Sequence, residues 1–238
     1  MLRIKPTIPA LLPHLFFFFF FFSGLPDWIV DAQGLVPAKY DGFMYGNRRF
    51  GLDTIMIEAF LDPLCPDSRD AWSPLKRALD YYGHAISLLV HPFALPYHDN
   101  AFAACRALHI INKLNTSATY NLLEMFFQHQ DKFYNQQTYK LSRADIVNEM
   151  VEFATEAVGC AFRSAVKSGF DDKQTNLATR VSFKYGCSRG VYGTPFFFVN
   201  GFPLPGAGSA IDYNGWRSIL DPLVSKLGAI EREHLSSY

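Results

Sequence analysis

Neither sign of charge prevails in this chain. Its 22 lysines and arginines are matched by 22 aspartates and glutamates, and no basic run carries interleaved aromatics, so a nucleic-acid surface is not expected. Charged residues make up only 18% of the 238 residues, against 49% hydrophobic and 16% aromatic. That balance excludes a disordered chain and leaves ample material for a core. After Phe22 no segment is apolar for long enough to span a bilayer. Histidines in metal-ligand spacing are also missing: His91 and His98 flank Pro92 and Pro96 without a pattern that would hold an ion, and both read as ordinary loop residues, so no metal site is expected. Cysteine is scarce, with four residues at 65, 105, 160 and 187.

What is abundant comes first in the chain. Arg3 and Lys5 precede Leu11-Leu12-Pro13-His14-Leu15 and then seven consecutive phenylalanines, Phe16 to Phe22, a charged segment followed by an apolar one as in a secretory signal. Val30-Asp31-Ala32 puts small residues at the −3 and −1 positions, so cleavage is expected after Ala32, with Gly24 as a second site. An uncleaved anchor fits less well, because Pro13 and His14 interrupt a short apolar core. The expected compartment is therefore the secretory pathway, either the endoplasmic reticulum lumen or the exterior, with no transmembrane segment after signal removal. Four cysteines in an oxidising compartment permit three full pairings. Cys160 with Cys187 is the preferred bridge because the two fall in neighbouring helical segments, while Cys105 lies in a pattern apolar enough to bury a free thiol. Asn115-Thr116-Ser117 is a glycosylation sequon just past a helix end, where a loop would expose Asn115.

The chain is organised around Glu58 to Ser68. Thr54 to Leu61 is apolar and β-branched enough for an interior strand, and Pro63 and Pro66 end it. Pro66 suits the first turn of a helix, and Asp67, Ser68 and Asp70 suit a helix start. Cys65 thus falls at the amino end of a helix, where unpaired N–H groups and the helix dipole favour a thiolate. That helix should run from about 67 to 82, stopped by Gly83, and 85–91 should be a second strand parallel to the first. Helical patterns follow at 101–114, 118–134, 143–158, 161–168 and 175–185, with Phe126, Phe127, Phe133, Tyr134 and Phe153 read as packing residues. Asn200-Gly201 marks a hairpin between Phe196–Val199 and a short strand from Phe202, and a helix over 213–227 completes the pattern. Pro195 heads a strand, either trans at an edge or cis after Thr194.

Strand, Cys-X-X-Ser, helix, strand, helical insertion, Gly-Thr-Pro, hairpin and terminal helix, in that order, resemble the thioredoxin superfamily in its DsbA-like branch. Two stretches carry the resemblance: Phe60 to Ser68, and Gly190-Val191-Tyr192-Gly193-Thr194-Pro195 with the strand that follows. It implies an α/β fold, a thioredoxin-like mixed sheet with a helical insertion, divided into a signal at 1–32, a first fold part at 33–97, the insertion at 98–189, a second part at 190–228 and a tail at 229–238. It also implies that Cys65 is the attacking thiol, assisted by a hydrogen bond from Ser68, and that Pro66, Asp67, Thr194 and Pro195 line the client site. Ser68 stands where redox members have a second cysteine. A serine hydroxyl does not displace sulfur, so what remains is single-thiol exchange or isomerisation on cysteine-containing or unfolded polypeptides, with no cofactor and glutathione as an admissible co-substrate. Asp67 opposes a thiolate, and the family's buried acid, six residues before the thiol, falls on Ala59, with Glu58 on the other face. The alternative reading is a non-catalytic peptide-binding or chaperone-like module.

Overall fold

The computed structural model describes residues 37–46 and 54–236, and the described residues from Lys39 onward belong to one compact unit. The expected signal peptide and cleavage site lie outside the described residues. Two strands, β1 (Phe43–Met44) and β2 (Ile55–Leu61), precede helix α1 (Pro66–Tyr82) and strand β3 (Ile86–Pro92). Six helices follow: α2 (Ala101–Leu114), α3 (Thr119–Gln128), α4 (Asn135–Thr138), α5 (Arg143–Val158), α6 (Arg163–Asp171) and α7 (Lys173–Ser188). The chain then returns to the sheet with β4 (Phe196–Val199) and β5 (Phe202–Pro203) and ends in α8 (Tyr213–Ser236).

The strands are ordered β1-β3-β2-β4-β5. β2 and β3 run parallel, with Ile55 opposite Ile86 and Phe60 opposite His91, as a βαβ unit requires. β4 lies antiparallel to β2 and is followed by β5 through the Asn200-Gly201 turn, where both residues take positive φ. Because successive strand side chains face opposite ways, β4 divides its four residues between two cores. Phe197 and Val199 join the main core with Ile57, Leu75, Leu108 and Trp216, whereas Phe196 and Phe198 join Phe60, Cys65, Phe93, Leu95 and Val191 in a second, smaller cluster. The peptide bond between Thr194 and Pro195 is cis, and β4 is an interior strand, not an edge.

One expected helix is broken. The pattern over 118–134 yields α3 to Gln128, a 3₁₀ turn over Gln130–Phe133 and then α4. His129 leaves helical geometry at φ −132° and ψ 29°. This turn buries Phe133 in the main core and Gln130 against the thiol corner. Among the described residues no helix is long and apolar enough to cross a membrane.

Candidate functional site

Cys65 is the N-cap of α1, with extended backbone at φ −85° and ψ 123°, and Pro66 occupies the first helical position. The side chain makes no capping bond to the helix. Instead the thiol donates to the carbonyl oxygen of Thr194 across the Sγ–O distance of 3.4 Å, which joins two segments 129 residues apart. Cys65 is only 3% exposed, set among the aromatic rings of the smaller cluster. Thr194 and Pro195 are buried beside it, Pro66 is half-buried and Asp67 is exposed. The hydroxyl oxygen of Thr194 is buried without a hydrogen-bond partner.

Ser68 does not take the expected role toward the sulfur. It is fully buried, and its Oγ accepts the backbone N–H of Asp62 at 3.3 Å, because the strand end folds back over the first turn of α1. Asp62, three residues before the thiol, is the buried acid of this corner, in place of the Ala59 position. Its Oδ1 accepts the N–H of Leu64 at 2.8 Å, and its Oδ2 takes the N–H of Leu95 and Nδ1 of His98, both at 2.9 Å. His98 is therefore a fixed side chain of the site. The corner is held from its other side by Gln130, whose amide Nε2 donates to the carbonyls of Pro63 (3.0 Å) and Cys65 (2.8 Å), while its oxygen accepts the hydroxyl of Tyr134.

Behind the smaller cluster lies a buried charged network on the face of β2 that carries Phe60. Glu58 meets the Arg189 guanidinium at 3.2 Å and His91 Nε2 at 3.4 Å, and the hydroxyls of Tyr185 and Tyr40 donate to it. Contact with His91 Nε2 is an ion pair without the direction of a hydrogen bond. Burial pushes the Glu58 carboxyl up, but His91 and Arg189 outweigh burial and hold it at about 2. His91 belongs to β3 and is fully buried, not a loop residue; it stacks on Phe60 with ring centres 4.4 Å apart, and its Nδ1 faces Asp41 at 2.9 Å. Burial opposes its charge, yet Asp41 and Glu58 raise its pKa.

This arrangement of sheet, corner and insertion has counterparts among solved structures. A candidate protein-disulfide isomerase from Pseudomonas syringae matches with a TM-score of 0.60 at 18% identity, over 79% of this chain and 98% of its own. The fold is thioredoxin-like, of the DsbA-like kind. A periplasmic thioredoxin-like protein from Salmonella enterica serovar Typhimurium matches with a TM-score of 0.55 at 15% identity, covering 85% of this chain and 99% of its own. For the thiol-disulfide exchange protein alpha-DsbA2 from Wolbachia pipientis the TM-score is 0.52 at 16% identity, over 76% and 87%. No protein-family model matches the chain, and no curated protein matches it in sequence. In this DsbA-like fold the insertion is α2 to α7, and it supplies Gln130 to the thiol corner and Arg189 lies just past its end.

The expected bridge between Cys160 and Cys187 is not formed: both are free and exposed thiols. Cys160 sits in the turn that opens α6, whereas Cys187 is in the last turn of α7, where neighbouring Gly186 presses against Phe93 and Phe60. Cys105 is fully buried and free, as its apolar pattern predicts. Asn115 is exposed at the C-cap of α2, its side-chain oxygen accepting the N–H and hydroxyl of Ser117. Among the described residues no cluster of three His, Cys, Asp or Glu is placed to hold a metal ion.

Asp62, Gln130, His98 and the Glu58 network are site residues that sequence reasoning missed. Asp62 carried one signal, an acid kept between an apolar strand and Pro63; Gln130 carried none.

Proposed function

We propose that this protein is an extracytoplasmic thiol-disulfide exchange protein acting through the single thiol Cys65 on cysteine-containing or unfolded polypeptides. The observation that carries the reading is the thiol of Cys65 at the start of α1, 3.4 Å from the carbonyl before a cis-proline. A thiolate cannot donate to that carbonyl, so deprotonation frees the sulfur to turn toward a client. The Cys65 thiolate then attacks one sulfur of a client disulfide: a bond forms between Cys65 and that sulfur, the client S–S bond breaks, and the departing thiolate takes a proton from water. Ser68 cannot displace the mixed disulfide, so release needs a second thiol. When the client's own cysteine supplies it, disulfides are rearranged with no net change in oxidation; when glutathione attacks the Cys65 sulfur, the client leaves with both cysteines reduced and Cys65 is glutathionylated, and when it attacks the client sulfur, Cys65 is freed and the client leaves with one thiol and one glutathionylated cysteine. Similarity in fold to periplasmic and thiol-exchanging proteins supports this reading and its compartment, and in a glycosylating compartment exposed Asn115 would carry a glycan.

A second reading, a peptide-binding module without exchange chemistry, draws on the near-complete burial of Cys65. One experiment separates them. Purified protein is incubated with a scrambled disulfide client, quenched with acid and analysed by mass spectrometry. We expect a client adduct on Cys65 and rearranged client with the wild type, and neither with Cys65→Ser. Equal rearrangement by Cys65→Ser would refute the exchange reading; absence of any adduct, with client binding equal in both proteins, would establish the binding module.

A further inference from the structure

Beside the thiol corner, the loop between β3 and α2 and one side of α7 enclose a cleft of about 410 Å3, a size suited to one or two side chains of a ligand. Its floor is apolar, made by Leu95, Phe102 and Phe183. Leu95 also packs in the cluster that contains Cys65, and Phe183 stacks on Phe93 of that cluster with ring centres 5.0 Å apart. The rim is basic. Arg180 and Lys184 lie four residues apart in α7, hence on one side of it, and both line the cleft. Arg180 is exposed and has no acidic partner among the described residues. One carboxylate, Asp99, also lines the cleft, against the two cations of α7.

The cleft is also joined to the thiol through the side chain of Asp62. Oδ2 of Asp62 takes both the N–H of Leu95 and Nδ1 of His98, and the carbonyl of Asp62 accepts the N–H of Cys65 at 3.1 Å. With Nδ1 engaged, Nε2 is the ring nitrogen His98 has left for the cleft it lines. Tyr97, on the same loop, is 62% exposed and extends the apolar surface toward solvent. Leu95 and His98, which line the cleft with Arg180, are thus both bonded to the acid beside Cys65.

We propose that this cleft is a client subsite that takes an apolar side chain on its floor and an adjacent carboxylate at Arg180, so that clients carrying an apolar–acidic pair near their cysteine are preferred. The proposal rests on the single-thiol exchange reading for its biological meaning, and its test distinguishes the two. Synthetic peptides with one cysteine, activated as the mixed disulfide with thionitrobenzoate, carry Phe-Glu, Phe-Gln or Ser-Gln two, three or four residues to either side of that cysteine. Attack by Cys65 forms the Cys65–peptide disulfide and expels coloured thionitrobenzoate, whose release is timed; fluorescence anisotropy of cysteine-to-serine versions of the peptides measures binding alone. At one spacing we expect Phe-Glu to exceed Phe-Gln by about five-fold in rate and affinity, as a half-exposed charge pair allows. Arg180→Ala should abolish that difference, Arg180→Lys should restore part of it, and 0.5 M salt should reduce it. Exchange that proceeds at one rate for all peptides and ignores Arg180 would overturn the subsite while leaving the exchange reading intact. Binding that depends on Arg180 without release of thionitrobenzoate would keep the subsite and overturn the exchange reading.

Discussion

Ser68 decides which thiol chemistry this corner can complete. It is buried in the first turn of α1, and its oxygen is occupied by the N–H of Asp62. Ser68→Cys would place a second sulfur one helical turn from the first at a cost of about 1 kcal/mol for the weakened hydrogen bond. We expect this variant, supplied in its disulfide form, to oxidise a reduced dithiol peptide that the wild type leaves unchanged, measured by loss of free thiol. No gain of dithiol oxidation would mean that the corner cannot bring the two sulfurs together. Glu58 and His91 make a second prediction at this scale. The Glu58 carboxyl, held at about 2 against an ordinary 4.5, contributes stability that is present above pH 4.5 and lost as pH falls toward 2. His91, raised above 6.5, contributes stability that is present below pH 6.5 and lost as pH rises through its folded value. Urea midpoints should therefore peak between these limits, and His91→Gln should remove the decline on the alkaline side. A midpoint independent of pH from 3 to 8 in the wild type would refute this account.

Among the elements, the 3₁₀ turn over Gln130–Phe133 does the most for the site. A continuous helix through this stretch would carry Gln130 away from the carbonyls of Pro63 and Cys65, and the corner would lose the side-chain donor to both. Gln130→Leu leaves both carbonyls buried without that partner. We expect a loss of about 1–3 kcal/mol in urea unfolding, and a change in the rate at which iodoacetamide alkylates Cys65 that Gln130→Glu, which faces carbonyls with a carboxylate, exceeds. Alkylation unchanged in both variants would show that Gln130 serves stability alone. Strand β4 is the other element on which the site depends, since its alternating phenylalanines wall the thiol's cluster on one face and fill the main core on the other.

At the scale of the molecule, the thiol and its Thr194 partner are brought together by strands β2 and β4, which pair across a whole helical insertion. Terminal helix α8 closes the main core beneath that pairing: Trp216 is fully buried and meets the ring of Phe197 edge-on at 5.1 Å. Trp216→Ala should cost about 3–5 kcal/mol through a core the thiol's cluster does not share. We expect a large fall in the urea midpoint with the Cys65 alkylation rate of the folded protein little changed; a proportionate fall in both would mean that the two cores act as one.

How far each of these features was legible depends on how local its cause is. The corner at Cys65 was readable because an apolar β-branched run, two prolines and a helix start lie within fifteen residues, and local propensity and the missing N–H of Pro66 act over that distance. The Asn200-Gly201 turn and the strand β4 before it were readable for the same reason. Cys160 and Cys187 misled because neighbouring helices in sequence need not face one another, and the break at His129 escaped because helical periodicity continues through it. Asp62 with His98, Gln130 with the Cys65 carbonyl, Glu58 with Arg189 and the basic cleft of α7 join residues 36 to 131 positions apart. No local preference encodes such meetings. They arise when packing of the apolar faces brings distant polar groups out of water together, and each must then find its partner among whatever groups the fold has placed beside it.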